Sequence, residues 1–300
     1  MPPAERPRLG FIGPGTVGTA LAQSFAKAGY TVTSVYGRDP DRRARAAEAI
    51  PGATAAGCAQ DVVDASDLVF LTVPDDAIRA VAESVSWRSG STAVHCSGAA
   101  SIDLLETATG VGASVGAFHP LQTLASLEQA MKNLPGSAIV IEASDSTLEA
   151  TLTEMARAIG GEPMLLRGSK ALYHASAVLA CNNLVTLLDA AAGLWTDLGL
   201  TKEEGLRALL PLVRGTVENL EAIGLPDALT GPISRGDVGT IDRNLAALEA
   251  ASPETADLYV ALARRTIPIA REKGTLSEET ASRLLEHLDT GRRSPDPTAR

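Results

Sequence analysis

The sequence of 300 residues predicts an α/β fold, a doubly wound parallel sheet of the Rossmann type followed by an all-α C-terminal domain. In the first half of the chain, short apolar segments alternate with amphipathic helical patterns, as in a sheet whose strands are joined by crossover helices. After Gly168 the strand patterns end, and an alanine- and leucine-rich helical pattern covers residues 169–198. We therefore predict an α/β domain over residues 1–167, a helical domain over 168–291 and a disordered tail over 292–300.

Each predicted element follows from its own apolar pattern and from the residues that flank it. The predicted strands cover residues 9–12, 31–36, 68–73, 92–96, 114–118, 138–141 and 164–166. The predicted helices after the long one cover residues 202–223, 239–251, 253–272 and 277–289. Gly224, Pro226 and a polar loop at 231–237 separate the first two of these helices.

The first predicted strand runs directly into Gly13, Gly15 and Gly18, which have the spacing of a dinucleotide-binding turn. In such a turn the first glycine permits the bend, the second lets the backbone approach a pyrophosphate, and the third lets the helix pack closely. The helix N-terminus then faces the anion. A strand on each side of the helix completes the βαβ unit, which favours a cofactor site over a glycine turn that binds nothing.

The end of the second predicted strand favours NADP(H) over NAD(H). Arg38 stands close to where an acidic residue would hold the ribose hydroxyls of NAD. A guanidinium instead suits a 2′-phosphate, with which it forms paired hydrogen bonds. Asp39 keeps NAD(H) open as the alternative. The predicted cofactor-binding residues are Gly13, Pro14, Gly15, Thr16, Val17, Gly18, Arg38, Val73, Pro74 and Ser97.

Composition and charge argue against several classes of partner. Acidic residues outnumber basic ones by 36 to 26, and this net charge of −10 argues against nucleic acid or an anionic membrane surface. We expect neither a signal sequence nor an apolar run near the ~20 residues that span a membrane, and hence a cytoplasmic protein. Cys58, Cys96 and Cys181 are scattered, so we expect buried, reduced thiols and no metal site.

Candidate catalytic residues are sought where strands end, because ligands of open α/β sheets bind beyond the strand carboxyl ends. Ser97 and His119 stand at two such ends and are predicted to bind substrate, although a lone histidine can serve packing alone. Lys170 and His174, four residues apart at the start of the long helix, share one face. An ammonium can stabilise the charge that hydride addition leaves on a carbonyl oxygen, and an imidazole can donate the proton. The alternative for Lys170 is a side chain that extends into solvent.

The helical domain adds three candidates. Asn182 is predicted to hold a polar substrate group, or instead to satisfy helix backbone at a dimer contact. Arg235, in a loop stiffened by glycine and proline, is predicted to bind a substrate carboxylate. Asp237 is either a catalytic partner of Lys170 or of a substrate hydroxyl, or the N-cap of the helix that follows.

Together these residues resemble the superfamily of β-hydroxyacid dehydrogenases and ketopantoate reductases over nearly the whole chain. Lys170 matches the catalytic lysine that opens the long interdomain helix of that superfamily, and His174 replaces its usual asparagine. Asp237 matches an aspartate of ketopantoate reductases. The pair of Tyr173 and His174, with the segment 231–237, is most similar to a branch that joins a Rossmann-like domain to a helical domain of unknown function.

The resemblance implies an NADPH-dependent oxidoreductase that reduces a small 2-oxo acid, with 2-dehydropantoate as the first candidate. Lys170 would polarise the carbonyl, Lys170 or His174 would supply the proton, and Arg235 would bind the carboxylate. Enzymes of the same architecture that act on a cyclic imine or a prephenate-like acid are alternatives, the latter because His119 is followed by proline. A non-catalytic NADP(H) sensor is the alternative from another class. A homodimer with the long helix at its interface is also expected.

Overall fold

A computed structural model describes residues 6–290, which divide into two compact units after Cys181. The predicted boundary at residue 167 falls earlier in the chain. The difference arises because the start of the predicted long helix, which the structure divides at Cys181 into residues 170–180 and 182–193, contacts the sheet unit through Lys170 and Tyr173. The predicted tail at 292–300 lies outside the described residues.

The first unit contains one eight-stranded sheet with the strand order β3-β2-β1-β4-β5-β6-β7-β8. Its strands are β1 (Leu9–Ile12), β2 (Val32–Tyr36), β3 (Thr54–Ala55), β4 (Leu68–Leu71), β5 (Thr92–His95), β6 (Ser114–Pro120), β7 (Ala138–Ala143) and β8 (Glu162–Leu165). Neighbouring strands are parallel except β6 and β7, which are antiparallel. The prediction missed the two-residue β3, because its exposed residues form no apolar pattern.

Helices cover both faces of the sheet, which confirms the doubly wound architecture. They are α1 (Thr16–Lys27), α2 (Pro40–Ala49), α3 (Ala59–Ala65), α4 (Ile78–Glu83), α5 (Glu106–Thr109), α6 (Leu127–Asn133) and α7 (Ser146–Ala158), and α8 (Lys170–Ala180) follows the last strand. All four phenylalanines of the chain pack in one core, with ring centroids 5.0 to 5.8 Å apart. Phe11 belongs to this core and Ile12 to the core of the opposite face, because successive strand residues point to opposite sides.

The second unit consists of α9 (Asn182–Gly193), α10 (Lys202–Ile223), α11 (Val238–Ala251), α12 (Pro253–Glu272) and α13 (Glu278–Thr290). The last four agree with the predicted helices to within one residue at each end. Their starts follow from local chemistry: Thr201 and Glu204 form a capping box, and Ser252 caps a helix whose first residue is Pro253. The core of this unit lies among α11, α12 and α13.

The expectation that no apolar run could span a membrane is wrong for residues Lys170–Leu198. By length and composition, this segment of 29 residues is long and apolar enough to cross a membrane. Just 6% of its most apolar stretch is buried. Length and composition do not distinguish a membrane from a protein partner as the cover for this surface.

Candidate functional site

The glycine turn between β1 and α1 is tightly packed on one side and open on the other. A Cβ on Gly13, whose φ is +109°, would lie 2.6 Å from the Thr72 backbone. A Cβ on Gly18 would lie 2.3 Å from Thr72 Oγ1 and 2.4 Å from the Gly13 carbonyl oxygen. A Cβ on Gly15, in contrast, would meet no atom within 4 Å. The three glycines thus have the separate roles that a pyrophosphate-binding turn requires.

The N-terminus of α1 is suited to an anion. Gly15 is its N-cap and supplies no side-chain hydrogen bond to the first N–H groups of the helix. These N–H groups and the helix dipole favour negative charge at this end. Pro14 closes the turn against the end of β2, because a Cβ on Gly37 would lie 2.5 Å from Pro14 Cδ. The predicted residues Thr16 and Val17 form the first turn of this helix.

The residues after β2 bear on the choice between NADP(H) and NAD(H). Asp39 Oδ1 accepts hydrogen bonds from the N–H groups of Arg42 and Asp41, each 3.0 Å long, and so caps α2. The bond from Arg42 is the main cause that holds the pKa of Asp39 below its usual value. Arg38 is exposed beside this cap, and the Arg43 guanidinium lies 5.7 Å from the Tyr36 ring centroid. Oδ1 of Asp39, the acid that kept NAD(H) open, is therefore engaged by backbone N–H groups, while Arg38, which is exposed as Asp39 is, presents a cation.

One set of residues in register crosses the sheet near the carboxyl ends of its central strands. The set consists of Tyr36, Ile12, Leu71, His95, Ala117 and Glu142. Residues paired in register point to the same face, so His95 and Glu142 share a face. Glu142 was missed from the sequence, where the strand was predicted to end at residue 141. Its placement depends on the antiparallel pairing of β7, which brings it opposite Ala117.

Lys170 forms an ion pair with Glu142 inside the first unit. Lys170 Nζ lies 3.5 Å from Glu142 Oε2, and the two side chains are 9% and 30% exposed. Within residues 6–290, neither atom has a hydrogen-bond partner and both are buried. Burial lowers the pKa of Lys170, and the Glu142 carboxylate opposes this effect. The alternative of a lysine that extends into solvent is therefore wrong.

His95 and Ser97 form a network of hydrogen bonds after β5. The Ser97 N–H donates to His95 Nδ1 over 3.2 Å, so Nε2 carries the ring proton and faces the Ser101 carbonyl oxygen at 3.3 Å. Burial and the Lys170 cation lower the pKa of His95 to about 4. The Ser97 hydroxyl donates to Asp75 over 2.7 Å and accepts two backbone N–H groups. Ser97 therefore holds its own loop, and its predicted contact with cofactor or substrate stays a prediction.

His119 and Tyr173 form a second polar pair. His119 Nδ1 and the Tyr173 hydroxyl share a hydrogen bond of 2.7 Å, and the two rings meet edge to face. Burial, Lys170 and His174 lower the pKa of His119 to about 4, and burial raises the pKa of Tyr173 to about 12. Both side chains are thus uncharged at neutral pH. A Cβ on Gly98 would lie 2.7 Å from His119 Cε1, so Gly98 permits this packing.

Tyr173 contributes to the family resemblance but is not among the site residues predicted from the sequence. Its spacing of three residues from Lys170 could have identified it, because such residues share a helix face. Of the predicted catalytic and substrate-binding residues, the first unit contains Lys170, His174, His119 and Ser97. The side chain of His174 is half-buried.

The candidates Asn182, Arg235 and Asp237 belong to the second unit. Asn182 and Arg235 are exposed. Asp237 caps α11, since its carboxylate accepts from the Thr240 N–H over 3.0 Å and from the Thr240 hydroxyl over 2.7 Å. Of the two alternatives for Asp237, the N-cap is the one that the structure shows.

The expectation of buried cysteines holds in part. The three thiols are free, but Cys58 is exposed and Cys96 and Cys181 are partly exposed. Cys58 lies at the surface because it is the N-cap of α3, where its side chain takes part in a capping box with Asp61.

Comparison with protein families finds two matches in the chain. Residues 3–120 match the Rossmann-like domain, and residues 137–266 match the domain of unknown function DUF2520. The first match contains His119, and the second contains Glu142, Lys170 and Tyr173. No curated protein matches the sequence.

Several solved structures share the fold. A protein from Thermotoga maritima is 25% identical with a TM-score of 0.73, over 88% of this chain and 99% of its own. A reductive aminase from Aspergillus terreus, in complex with NADPH and ethyl-5-oxohexanoate, is 21% identical with a TM-score of 0.62, over 96% and 94%. A 1-pyrroline-5-carboxylate reductase from Streptococcus pyogenes is 19% identical with a TM-score of 0.60, over 89% and 99%. At these identities the likeness establishes the fold and leaves the substrate open.

Proposed function

We propose that the protein is an NADP(H)-dependent oxidoreductase that reduces the carbonyl group of a small 2-oxo acid, with 2-dehydropantoate as the first candidate. One observation carries the proposal: Lys170 is a buried cation with unused hydrogen-bond donors, next to two neutral imidazoles. Such a cation stabilises negative charge on a substrate oxygen more effectively than it would in water.

The residues of the first unit fit the proposed cofactor. Gly13, Gly15, Gly18 and the N-terminus of α1 would hold the pyrophosphate, because a Cβ on Gly15 would project into open space. Arg38 would bind the 2′-phosphate. Bound in this way, NADPH would supply the hydride.

Lys170 and its neighbours would supply the electrostatic and proton-transfer steps. The Lys170 ammonium would donate a hydrogen bond to the substrate carbonyl oxygen and stabilise the charge that develops there. Burial lowers the pKa of Lys170, which makes it a stronger acid than an exposed lysine, so it can also give up the proton. His174 remains the second candidate for the donor. Binding of the substrate carboxylate by Arg235 stays a prediction.

A cyclic imine is the second candidate substrate. The fold shared with a reductive aminase and a 1-pyrroline-5-carboxylate reductase favours it. Charge favours the oxo acid, because the Lys170 ammonium would repel a protonated imine and attract a carbonyl oxygen. The alternative of a prephenate-like acid as substrate is supported by His119 and Pro120 alone.

The first test is NADPH oxidation by the purified protein with 2-dehydropantoate, pyruvate, 2-oxoisovalerate and pyrroline-5-carboxylate. Lys170→Ala is expected to lower kcat for the accepted substrate by about 10²–10³-fold, the usual loss for one donor to a developing oxyanion. The exposed Lys132 provides the control, and Lys132→Ala should leave kcat unchanged. Tight NADPH binding without oxidation by any of these substrates would count against the enzyme and for the sensor alternative.

We also propose that the protein forms a homodimer through α9 and α10. These helices contribute little to the core of their unit, where Ala192 and Gly205 are their buried residues. Their exposed apolar side chains are Val185, Leu187, Leu206, Leu212, Val217, Leu220 and Ile223. A second copy would bury such a surface.

A further inference from the structure

The ion pair between Lys170 and Glu142 is unusual because its two charged atoms are buried without hydrogen bonds among residues 6–290. An ammonium has three N–H donors, yet Nζ is buried without a hydrogen-bond partner among residues 6–290. Glu142 Oε2 is likewise buried and unpartnered, 3.5 Å from Nζ. Burying two charges costs free energy, and an ion pair offsets that cost only when further hydrogen bonds satisfy its remaining donors and acceptors. Stability alone therefore does not explain this ion pair.

We propose that Glu142 is the positioning residue of the site: its carboxylate keeps Lys170 charged and leaves the other N–H donors of Nζ free for a substrate oxygen. The pairing itself follows from the geometry of the first unit. Its part in catalysis rests on the function proposed above.

The groups that face Lys170 from other elements do not replace Glu142. His95 on β5 and His119 on β6 are neutral at neutral pH, since the pKa of each lies near 4. Burial raises the pKa of the Cys96 thiol to about 12, so this group is uncharged as well. Asp75 is the other nearby carboxylate, but it is exposed and accepts the Ser97 hydroxyl. Glu142 is thus the carboxylate in ion-pair contact with the ammonium.

Replacement of Glu142 should therefore change the protonation of Lys170. In Glu142→Gln the desolvation of Nζ remains while the opposing carboxylate is lost, so we expect the pKa of Lys170 to fall by about one to two pH units. The alkaline limb of kcat/KM for carbonyl reduction should move to lower pH by the same amount.

The direct test is NMR titration of Lys170 in protein with ¹³C-labelled lysine. The chain has five lysines, and the resonance of Lys170 is identified by its absence in Lys170→Met. Glu149→Gln is the matched control, because Glu149 pairs with Arg167 and not with Lys170. This variant should leave the Lys170 titration unchanged, whereas Glu142→Gln should lower it.

An unchanged Lys170 titration in Glu142→Gln would overturn the proposal, whether or not the protein turns over a substrate. If the lysine titration shifts but no substrate is reduced, the ion pair stands and the failure belongs to the proposed function. Glu142→Asp keeps the charge at a greater distance and should give a smaller shift in the same direction. This variant decides the question if Glu142→Gln does not fold, and no shift in it would also overturn the proposal.

Discussion

Asp39, Ser97 and Asp237 all occupy positions where the sequence permits contact with a ligand, and the oxygens of all three bind nearby backbone. Asp39 and Asp237 cap helices, and the Ser97 hydroxyl accepts two N–H groups of its own loop. Short polar side chains compete well for nearby backbone, and an engaged oxygen has less capacity for a ligand. Lys170 is the opposite case, because its Nζ is buried and has no hydrogen-bond partner among residues 6–290. This contrast is the reason why we propose Lys170 as the residue that carries the chemistry.

Arg38 is predicted to decide cofactor preference. Arg38→Ser should raise the Kd for NADPH roughly 10- to 100-fold, because a hydrogen bond to a charged group contributes about 1.5–3 kcal/mol. The Kd for NADH, which has no 2′-phosphate, should change little. Fluorescence titration of both nucleotides measures the effect. Arg45→Ala, an exposed arginine of the following helix α2, is the control, and equal losses for both nucleotides would contradict the assignment.

At the scale of elements, the β1–α1 turn was recognisable from sequence because its requirements are local. Gly13 and Gly18 are explained by close contact with Thr72, whose hydroxyl donates to the Gly13 carbonyl oxygen over 2.7 Å, and in the case of Gly18 also with backbone of the turn, whereas a Cβ on Gly15 would meet no atom within 4 Å. β7 was harder, since nothing in its six residues specifies antiparallel pairing with β6. The position of Glu142 depends on that pairing.

The glycines of this turn allow stability and binding to be tested separately. Gly18→Ala should lower the free energy of unfolding by about 1–3 kcal/mol or more, because its Cβ would overlap Thr72 and Gly13. Gly15→Ala should leave thermal stability nearly unchanged, since φ is −83° and no atom lies near its Cβ. It should nevertheless weaken NADPH binding by roughly tenfold or more, because the methyl group fills the proposed pyrophosphate position. Unaltered NADPH affinity in Gly15→Ala would argue against this turn as the cofactor site.

At the scale of the whole molecule, the two units differ in how well each covers its own apolar residues. The sheet unit has cores on both faces, whereas α9 and α10 leave many apolar side chains exposed. We therefore propose that a partner covers this surface, and the net charge of −10 favours a second copy over an anionic membrane.

Leu212, which is 67% exposed on α10, is predicted to lie in the dimer interface. Sedimentation should give the wild-type protein twice the protomer mass of 31.0 kDa, and Leu212→Glu should shift it toward the single protomer. The loss follows from placing a charge in an apolar contact. Val111→Glu, at a residue 48% exposed in the sheet unit, should leave the dimer intact. A monomeric wild type that floats with lipid vesicles would instead assign the surface to a membrane.

The sequence by itself determined the α/β class, the order of its main strands and helices, the glycine turn and the candidates Arg38 and Lys170. These features depend on periodicity, capping and turn chemistry over a few residues, which are visible in the chain. Tertiary structure alone decided that Lys170 is buried against Glu142 and that His119 pairs with Tyr173. Those contacts join segments far apart in sequence or depend on strand direction, so no local pattern could reveal them.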